Sequence, residues 1–585
     1  MKIKFIVGII IVSAVTLAIA SVWNDSPIVD EIPHIGAGYS YVQKGDFRLN
    51  PEHPPLAKYL AGFALSFLHL NKSVFETQFW TSDINGQWKF GRNLIFNSGN
   101  DAQLVSHVAK IPMLIFFVLS ALLIYAWTKK IYGGVKAPLL ALFLFALSPT
   151  VLAHSRFVTT DIPALFGILF ATYFYLKFLE HQSRKNLIIA ILAFGIAQLT
   201  KFSVFLLNPM FIVVAIAWGL KSHHEKIRTI FRTVFKTIVI IIAGYIFVVW
   251  PVYGLHTYNY PPELQKRDTT YGLGSYGNRL IADRIVWASD KPYIRALGQY
   301  GLGVLMVTQR AIGGNDTYFL GEVSNHAWKK YFPIVYFIKE PLPFWGLFLI
   351  AILFAIWQFK FSKYKISHLF DKNFHQFVML LWLVIYWYSS VKANLNIGVR
   401  HLLPTYGFVF ILISGQIIEF GRKLWQTYGE KTHKLYDLLI YVLLGWYLLE
   451  NLLVFPYYLT YFNQVVGGPS GGHVYVADSN LDWGQDAKRL ADWVNKNEIS
   501  KISLDYFGWA DAGYYLGNKY VWINAGKYRN AREFLVDNPG GGYIAVSKSF
   551  FMGSRGKPET SYAWLDQYKP VTDIGNSIFV WYITR

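Results

Sequence analysis

Long, nearly uninterrupted apolar runs recur along this sequence of 585 residues. A run of about 20 apolar residues can cross a bilayer as an α-helix, whereas a helix of a soluble domain is apolar on one face only. The pattern predicts a polytopic α-helical membrane protein with about eleven transmembrane helices. The runs lie near residues 5–22, 108–128, 137–153, 162–179, 186–200, 203–220, 234–254, 343–359, 374–390, 402–420 and 436–456.

The first run has a second interpretation as a signal peptide. Ala18-Ile19-Ala20 resembles a cleavage site for secretion. However, the apolar run is longer than the 7 to 15 residues that are usual in a signal peptide. We therefore expect an uncleaved membrane anchor.

Composition agrees with a membrane protein. Hydrophobic residues make up 54% and charged residues 15% of the chain, and the mean hydropathy is +0.30. So few charges cannot cover the surface of soluble domains of this total length. Cysteine is absent, which excludes disulfides, thiolate nucleophiles and cysteine metal sites.

The excess of positive charge indicates the orientation. Lys and Arg number 55 against 35 Asp and Glu, a net charge of +20. If the N-terminus is cytoplasmic, the inner segments hold roughly 21 of these cations, whereas the short outer connections hold Arg156, Lys201, Lys392 and Arg400. Cytoplasmic loops retain Lys and Arg, so we expect a multi-pass protein of the plasma membrane with a cytoplasmic N-terminus and an extracytoplasmic C-terminus. Nucleic acid is not needed to explain the charge.

Three long segments are predicted outside the spans. We name them the first outer segment (23–107), the middle outer segment (255–342) and the tail (466–585). The tail contains a helical pattern at 483–496 and short apolar runs at 501–507 and 542–547, bounded by Gly and Pro. These features predict a small extracytoplasmic α/β domain at 466–585 behind a transmembrane domain at 1–465.

The first outer segment carries the densest polar cluster. It reads DEIPHIG at 30–36 and EHPPLAK at 52–58, with Gly45-Asp46 between them. The paired prolines precede an apolar stretch, 56–68, which is predicted to lie along the interface as an amphipathic helix. A solvated loop with an ordinary helix start is the alternative interpretation.

Two further polar groups lie at predicted span ends. The sequence SRFVTTD ends at Asp161 directly before a span, where Asp161 either has a chemical role or caps the helix. Lys201 lies in a short outer turn, where a cation is unusual. Arg400 and His401 precede a late span, where they either have a role in a site or only extend their side chains to the membrane interface. Asp482 in the tail is expected to cap the predicted helix, with a contact to acceptor or metal as the alternative.

Together these groups would bring acids and cations to one face of the membrane. Arginine and lysine neutralise a phosphate, and a carboxylate can deprotonate an attacking hydroxyl. Such a face suits an anionic lipid head group beside a general base.

DEIPHIG followed by EHPPLAK resembles the first outer loop of the protein O-mannosyltransferases, and the loop is also similar to that of the lipid A aminoarabinose transferases. SRFVTTD, LTK at 199–201 and RHLLP at 400–404 are similar to further motifs of this group. The resemblance implies a GT-C glycosyltransferase that moves a sugar from a polyprenyl-phosphate donor to a protein, lipid or glycan acceptor. Pro33 is an extra residue relative to the family pattern, and the middle outer segment has no recognisable β-trefoil.

The resemblance also implies roles for individual residues. Asp30 would be the catalytic base, Glu31 would support it or contact substrate, and Asp161 would be a second essential acid. The donor phosphate would be bound by Arg156, Lys201, Arg400 and His53.

Some relatives hold a divalent metal near the lipid phosphate. The matching positions are Glu52 and His401, so a Mg, Mn or Zn ion is a further expectation. The middle outer segment is expected to cover the lipid site or bind acceptor, with plain interfacial anchoring as the alternative. A transporter or flippase of a lipid-linked sugar, or a sugar-binding protein with a degenerate site, are the alternative functions.

Overall fold

The computed structural model describes residues 2–221, 225–361 and 370–584, and helices dominate it. Two cations of the inner-side count, Lys363 and Lys365, lie outside the described residues. Helices up to residue 221 are α1 (Lys2–Val22), α2 (Glu31–Lys44), α3 (Leu56–Leu65), α4 (Gln78–Thr81), α5 (Gln87–Arg92), α6 (Ala102–Lys110), α7 (Met113–Tyr132), α8 (Lys136–Ala146), α9 (Pro149–Ser155), α10 (Asp161–Glu180), α11 (Arg184–Gln198) and α12 (Leu207–Leu220).

Further elements follow in chain order. Residues 225–361 form α13 (Lys226–Gly244), α14 (Trp250–His256), α15 (Pro262–Gly272), α16 (Arg279–Ala288), α17 (Arg295–Gly313), β1 (Thr317–Phe319), β2 (Glu322–Ser324), α18 (Tyr331–Lys339) and α19 (Leu342–Lys360). Residues 370–584 form α20 (Phe374–Lys392), α21 (Leu403–Val454), α22 (Gly468–Gly471), α23 (Ala487–Lys496), β3 (Ile502–Asp505), α24 (Ala512–Leu516), β4 (Tyr520–Trp522), α25 (Ala531–Asp537), β5 (Gly542–Ser547), α26 (Lys548–Gly553), β6 (Thr572–Ile574) and β7 (Ile578–Ile583).

Each of the eleven predicted runs lies in helical structure, which confirms the prediction of a multi-span helical protein. By length and composition, eight helical segments of the described chain can cross a membrane, and α8 with α9 makes a ninth if this pair, bent by 61°, is one span. The predicted count is higher for two reasons. α11 has only 15 residues, and α21 covers two predicted runs, with its break at Gly429 (φ 79°, ψ −174°).

The bend between α8 and α9 has a local cause. The Ser148 hydroxyl accepts the Val151 N–H, and Pro149 occupies the first turn of α9. Proline has no N–H to continue the hydrogen bonds of the preceding helix. A new helix therefore starts at this point, inside a run that reads as continuous in the sequence.

The first outer segment is largely helical and closely packed. A Cβ on Gly38 of α2 would lie 2.0 Å from the Lys58 carbonyl oxygen, and one on Gly62 of α3 would lie 2.0 Å from the Gly38 carbonyl oxygen. Only glycine permits this contact between the two helix backbones. Because Lys58 is buried and its Nζ donates to the carbonyl oxygens of Asn50 and His53, both at 2.7 Å, it fixes the loop that carries EHPP.

The tail contains the predicted α/β structure. Its five strands have the order β4-β3-β5-β7-β6, parallel from β4 to β5 and antiparallel from β5 to β6. β3 and β5 fall within the predicted apolar runs. The boundary between 465 and 466 itself stays a prediction.

The predicted cap at Asp482 is wrong. Its carboxylate accepts the backbone N–H groups of Ser549 (3.0 Å) and Gly484 (3.3 Å). The helix begins at Ala487 rather than at 483. The Asp482 carboxylate is bound to the start of α26 and does not cap this helix. Burial raises the pKa of Asp482 to about 8.

A buried ion-pair cluster joins the tail to the rest of the chain. Asp25 contacts Arg156 at 3.0 Å and Arg489 of α23 at 2.5 Å, and Arg489 also pairs with Asp486. All four side chains are nearly or fully buried. The cluster therefore fixes the tail against the start of the first outer segment.

Candidate active site

A cavity of about 330 Å³ lies where the residues preceding α2, α10, α12 and α21 meet α17, α18 and α20. We name it the Asp30 cavity. Its polar lining includes Asp30, His53, Lys201, Arg310, Arg400 and His401, and its apolar lining includes Phe202, Phe205, Leu206, Val304, Val307 and Phe332.

Asp30 occupies the residue before α2, but its side chain does not cap that helix. Its Oδ2 instead accepts a charged hydrogen bond from Arg400 Nη1 at 2.8 Å. Burial raises the pKa of Asp30, but the charge and hydrogen bond of Arg400 outweigh it, so the pKa lies below its usual value. The carboxyl group is therefore ionised at neutral pH, as a general base requires.

Asp161 lies in the first turn of α10, after Thr160 in the cap position. Its Oδ1 contacts Lys201 Nζ at 2.6 Å, and its Oδ2 lies 3.6 Å from Arg400 Nη1. The structure thus favours an ion-pairing role over the helix cap that the sequence left open. Lys201 extends this contact from the turn between α11 and α12.

Arg400 connects both acids to the tail. Besides Asp30 and Asp161, its Nε donates to Ser479 Oγ at 3.2 Å, and its guanidinium lies 4.0 Å from the centre of the Trp483 ring. The side chain is therefore held on several sides and does not snorkel freely. Ser479 and Trp483 thus contact Arg400, and neither was among the site residues expected from the sequence.

His53 lines the cavity as an uncharged group. Burial, His34 and the cations Lys58 and Lys201 lower its pKa well below the usual value. A neutral imidazole can donate one hydrogen bond to a phosphate but adds no charge. Its ring lies edge-on to His34 at 5.0 Å.

Two expected site residues lie away from the Asp30 cavity. Glu31 is fully buried, lies 3.2 Å from Lys110 Nζ, and accepts the N–H groups of Ile28 and Val158. Arg156 belongs to the Asp25 cluster. Neither lines the cavity, and both hold the surrounding loops together.

The residues present do not assemble a metal site. Glu52 accepts a hydrogen bond from Gln87 at 2.5 Å, and His401 lines the cavity with its Nε2 buried and unpaired. In the described part of the chain, no group of three or more His, Cys, Asp or Glu could hold a metal ion. The expectation of a divalent ion at Glu52 and His401 is not confirmed.

Sequence analysis missed Arg310 in the last turn of α17. Its side chain is exposed and lines the cavity, and no ion pair found among the described residues involves it. Long outer segments carry Lys and Arg without regard to topology, so nothing in the sequence distinguished this arginine. Arg310 is distinguished only by the position of α17 beside the cavity.

The arrangement suits an amphipathic anion. Three cations and a carboxylate line the cavity together with aromatic and aliphatic side chains from residues 202–206, α17 and α18. Phe205 on this wall is 44% exposed on the surface of the membrane helices. A phosphate can be bound by the cations while an attached chain lies along the apolar wall.

The sequence is similar to known proteins over part of its length. Residues 102–252 match the family described as dolichyl-phosphate-mannose-protein mannosyltransferase. No curated protein matches the sequence. The matched part includes Asp161 and Lys201 but not Asp30 or Arg400.

Solved structures with a similar course of the chain are distant. The protein O-mannosyltransferase Pmt1-Pmt2 complex of S. cerevisiae, bound to the sugar donor, is 20% identical over 44% of this chain and 34% of its own, with a TM-score of 0.35. ArnT from Cupriavidus metallidurans, bound to undecaprenyl phosphate, is 11% identical over 99% of this chain and 98% of its own, with a TM-score of 0.42. The Archaeoglobus fulgidus oligosaccharyltransferase in complex with Zn and sulfate is 12% identical over 97% of this chain and 71% of its own, with a TM-score of 0.47.

The matched family part spans about a quarter of the chain. It contains SRFVTTD and LTK, two of the motifs on which the resemblance was based. Over residues 102–252 the chain therefore matches the dolichyl-phosphate-mannose-protein mannosyltransferase family, which confirms the resemblance for this part.

Proposed function

We propose that this protein is a GT-C-type membrane glycosyltransferase that transfers a sugar from a polyprenyl-phosphate donor to an acceptor on the extracytoplasmic face. Residues 1–465 carry the reaction, and Asp30 is the general base. The observation that carries the proposal is the Asp30 cavity, where an ionised carboxylate and three cations share the lining with apolar side chains. The description of the matched family supports a polyprenyl-phosphate-linked donor.

The reaction is a single displacement. Asp30 takes the proton of an acceptor hydroxyl as its oxygen attacks the anomeric carbon of the sugar. The bond between that carbon and the phosphate oxygen breaks, and the polyprenyl phosphate leaves with both electrons. Because the acceptor oxygen attacks once, on the face of the sugar opposite to the leaving phosphate, the anomeric configuration inverts.

The cations act on the leaving group. Negative charge grows on the phosphate during the displacement, and preorganised cations stabilise such charge strongly in a site with little water. Lys201, Arg310 and Arg400 supply this charge. Asp161 orients Lys201 and the far side of Arg400.

Arg400 also links the two halves of the reaction. Without donor it neutralises Asp30. A bound phosphate competes for the same guanidinium, which weakens its contact with the carboxylate. The basicity of Asp30 then rises only when the donor is in place.

The decisive experiment is turnover with defined donors. Purified protein is incubated with polyprenyl-phosphate mannose, glucose and aminoarabinose, together with peptide, lipid and glycan acceptors, and release of polyprenyl phosphate is measured. Acceptor-dependent release supports the proposal. Movement of intact donor across a vesicle membrane without release would replace it with a transporter.

Arg310→Ala is expected to weaken donor binding. Among the described residues it forms no ion pair, so removing it costs attraction for phosphate while the Arg400–Asp30 and Lys201–Asp161 pairs stay intact. We expect KM for the donor to rise about tenfold, since one charged hydrogen bond contributes roughly 1.5–3 kcal/mol. Arg284→Ala, which removes an exposed arginine on α16, is the control, and equal effects of the two variants would contradict the assignment.

We expect kcat/KM for the donor to be nearly independent of pH on the acid side of neutrality. The pKa of Asp30 lies below its usual value because of Arg400, and burial lowers the pKa values of His34 and His53. The base is thus already deprotonated between roughly pH 5 and 7, and burial favours the neutral form of both imidazoles. We expect kcat/KM for the donor to change less than about twofold in this window, and an acid limb centred near pH 6 would contradict an Asp30 held by Arg400.

A further inference from the structure

A second cavity lies in the tail, apart from the Asp30 cavity. It has a volume of about 370 Å³ and is formed by the β1–β2 hairpin, the turn at 473–474, α26, the segment 565–570 and β7. Among the described residues, no side chain lines both cavities. We name it the tail cavity.

Aromatic side chains form its walls. Phe551, Phe579 and Trp581 lie with ring centres 5.3 to 5.7 Å apart, and Tyr318 and Tyr568 complete the lining. Trp581 is nearly buried and its Nε1 donates to the Tyr568 carbonyl oxygen at 3.1 Å. The walls are therefore fixed before any ligand enters, which lowers the entropic cost of binding.

A charged pair stands at the opening. Arg555 donates to both carboxylate oxygens of Asp566, at 2.8 and 3.1 Å, and both side chains are about a third to a half exposed. The Nε of Arg555 is buried and has no hydrogen-bond partner. The guanidinium as a whole is about a third exposed, so its Nη groups can donate hydrogen bonds to a ligand oxygen.

His473 adds an acceptor to the lining. Burial and Lys548 lower its pKa to about 4, so the ring is neutral. Its Nδ1 lies 2.8 Å from the Ser470 carbonyl oxygen and must carry the hydrogen. Nε2 is left without hydrogen and can accept a hydrogen bond from a hydroxyl.

These features select a chemical class of ligand. Rigid aromatic faces suit a ring with an apolar C–H face, whereas the Arg555 donor and the Asp566 and His473 acceptors suit neighbouring hydroxyls. The cavity carries a neutralised ion pair, so it favours neither an anion nor a cation. Its volume is at the small end of ligand pockets, about 300–1,000 Å³, and fits one or two sugar rings.

We infer that the tail cavity binds one or two pyranose rings of a neutral glycan. This goes beyond the proposed transfer reaction, because binding here requires neither donor nor Asp30. The position is also informative. Phe551 of the tail cavity lies on α26. Ser549 on the same helix hydrogen-bonds to Asp478 and Asp482. The segment that contains these two residues also contacts Arg400 through Trp483. A glycan in the tail cavity would therefore be held on the part of the tail that adjoins the Asp30 cavity.

The test measures binding without turnover. The full chain is placed in lipid nanodiscs, because maltoside detergents carry the sugar rings under test. Cellobiose, maltose, mannobiose and chitobiose are titrated, with saturation transfer to ring protons as the signal, and mannitol serves as a polyol without a ring face. We expect at least one disaccharide to bind with a Kd of about 1 mM and mannitol not to bind.

Variants separate this cavity from the rest of the protein. Arg555→Ala and Asp566→Asn should each weaken binding about tenfold, whereas Trp522→Ala, which removes a 63% exposed aromatic on β4, should leave it unchanged. Asp30→Asn should bind normally, so a failure of the proposed reaction does not affect this result. Absence of binding to all four disaccharides up to about 20 mM, equal binding of mannitol, or normal binding by Arg555→Ala that elutes and unfolds like the parent would overturn the inference.

Discussion

Asp30→Asn is expected to abolish sugar transfer while the protein folds normally. The amide cannot accept the acceptor proton, and general base catalysis commonly contributes 10² to 10⁴ in rate. We expect kcat to fall about 10³-fold, measured as acceptor-dependent release of polyprenyl phosphate. Folding should persist because Arg400 keeps Asp161 as a second carboxylate, 3.6 Å away.

A matched control lies in the same segment. Asp46 is buried and, like Asp30, is paired with an arginine, Arg48, at 2.6 Å, but it does not line the Asp30 cavity. Asp46→Asn should keep kcat within about threefold of the parent in the folded fraction. If Asp30→Asn retained activity within tenfold of the parent, Asp30 would not be the base.

Glu31→Gln is expected to lower the stability of the protein rather than its activity. Glu31 is fully buried and is the partner of Lys110, whose side chain is 4% exposed. Removing one member of a buried pair commonly costs 3–5 kcal/mol because the other charge remains in the interior. We expect a fall of about 3 kcal/mol in the free energy of unfolding, seen as a lower Tm of the purified protein.

The double variant tests whether the pair is the cause. Glu31→Gln combined with Lys110→Met removes both charges, so it should recover part of the stability lost in Glu31→Gln alone. In both variants, kcat per folded molecule should stay within about tenfold of the parent. A normal Tm with lost transfer would instead place Glu31 in the chemistry.

The neighbouring acids Asp30 and Glu31 show which features of the site the sequence predicts and which it does not. The motif DEIPHIG identified the start of α2 as polar and important, but it gave no direction for either side chain. Asp30 meets Arg400, which is 370 residues away, whereas Glu31 meets Lys110 and the Val158 N–H. Which acid faces the cavity depends on how α2 packs, and no local pattern encodes that.

The cations divide in the same way. Arg156, Lys201 and Arg400 are alike in the sequence as cations in short outer connections. In the structure, Arg156 is occupied by Asp25 in the cluster that holds the tail, and Arg310 from α17 takes a place at the cavity instead. Ion pairing depends on which residues are neighbours in three dimensions. The distribution of charge in the sequence therefore predicted a cationic site but not which cations line it.

The sequence by itself determined the helices of the membrane part, the strands β3 and β5, and the motifs that gather at the cavity. These are local properties, because an apolar run of sufficient length must satisfy its backbone as a helix wherever it lies in a bilayer. Only the tertiary structure decided that α21 covers two runs, that Asp482 holds α26, and that Ser479 and Trp483 position Arg400. The contacts of Asp482 and Arg400 join residues distant in the chain, and they form only because packing brings these segments together.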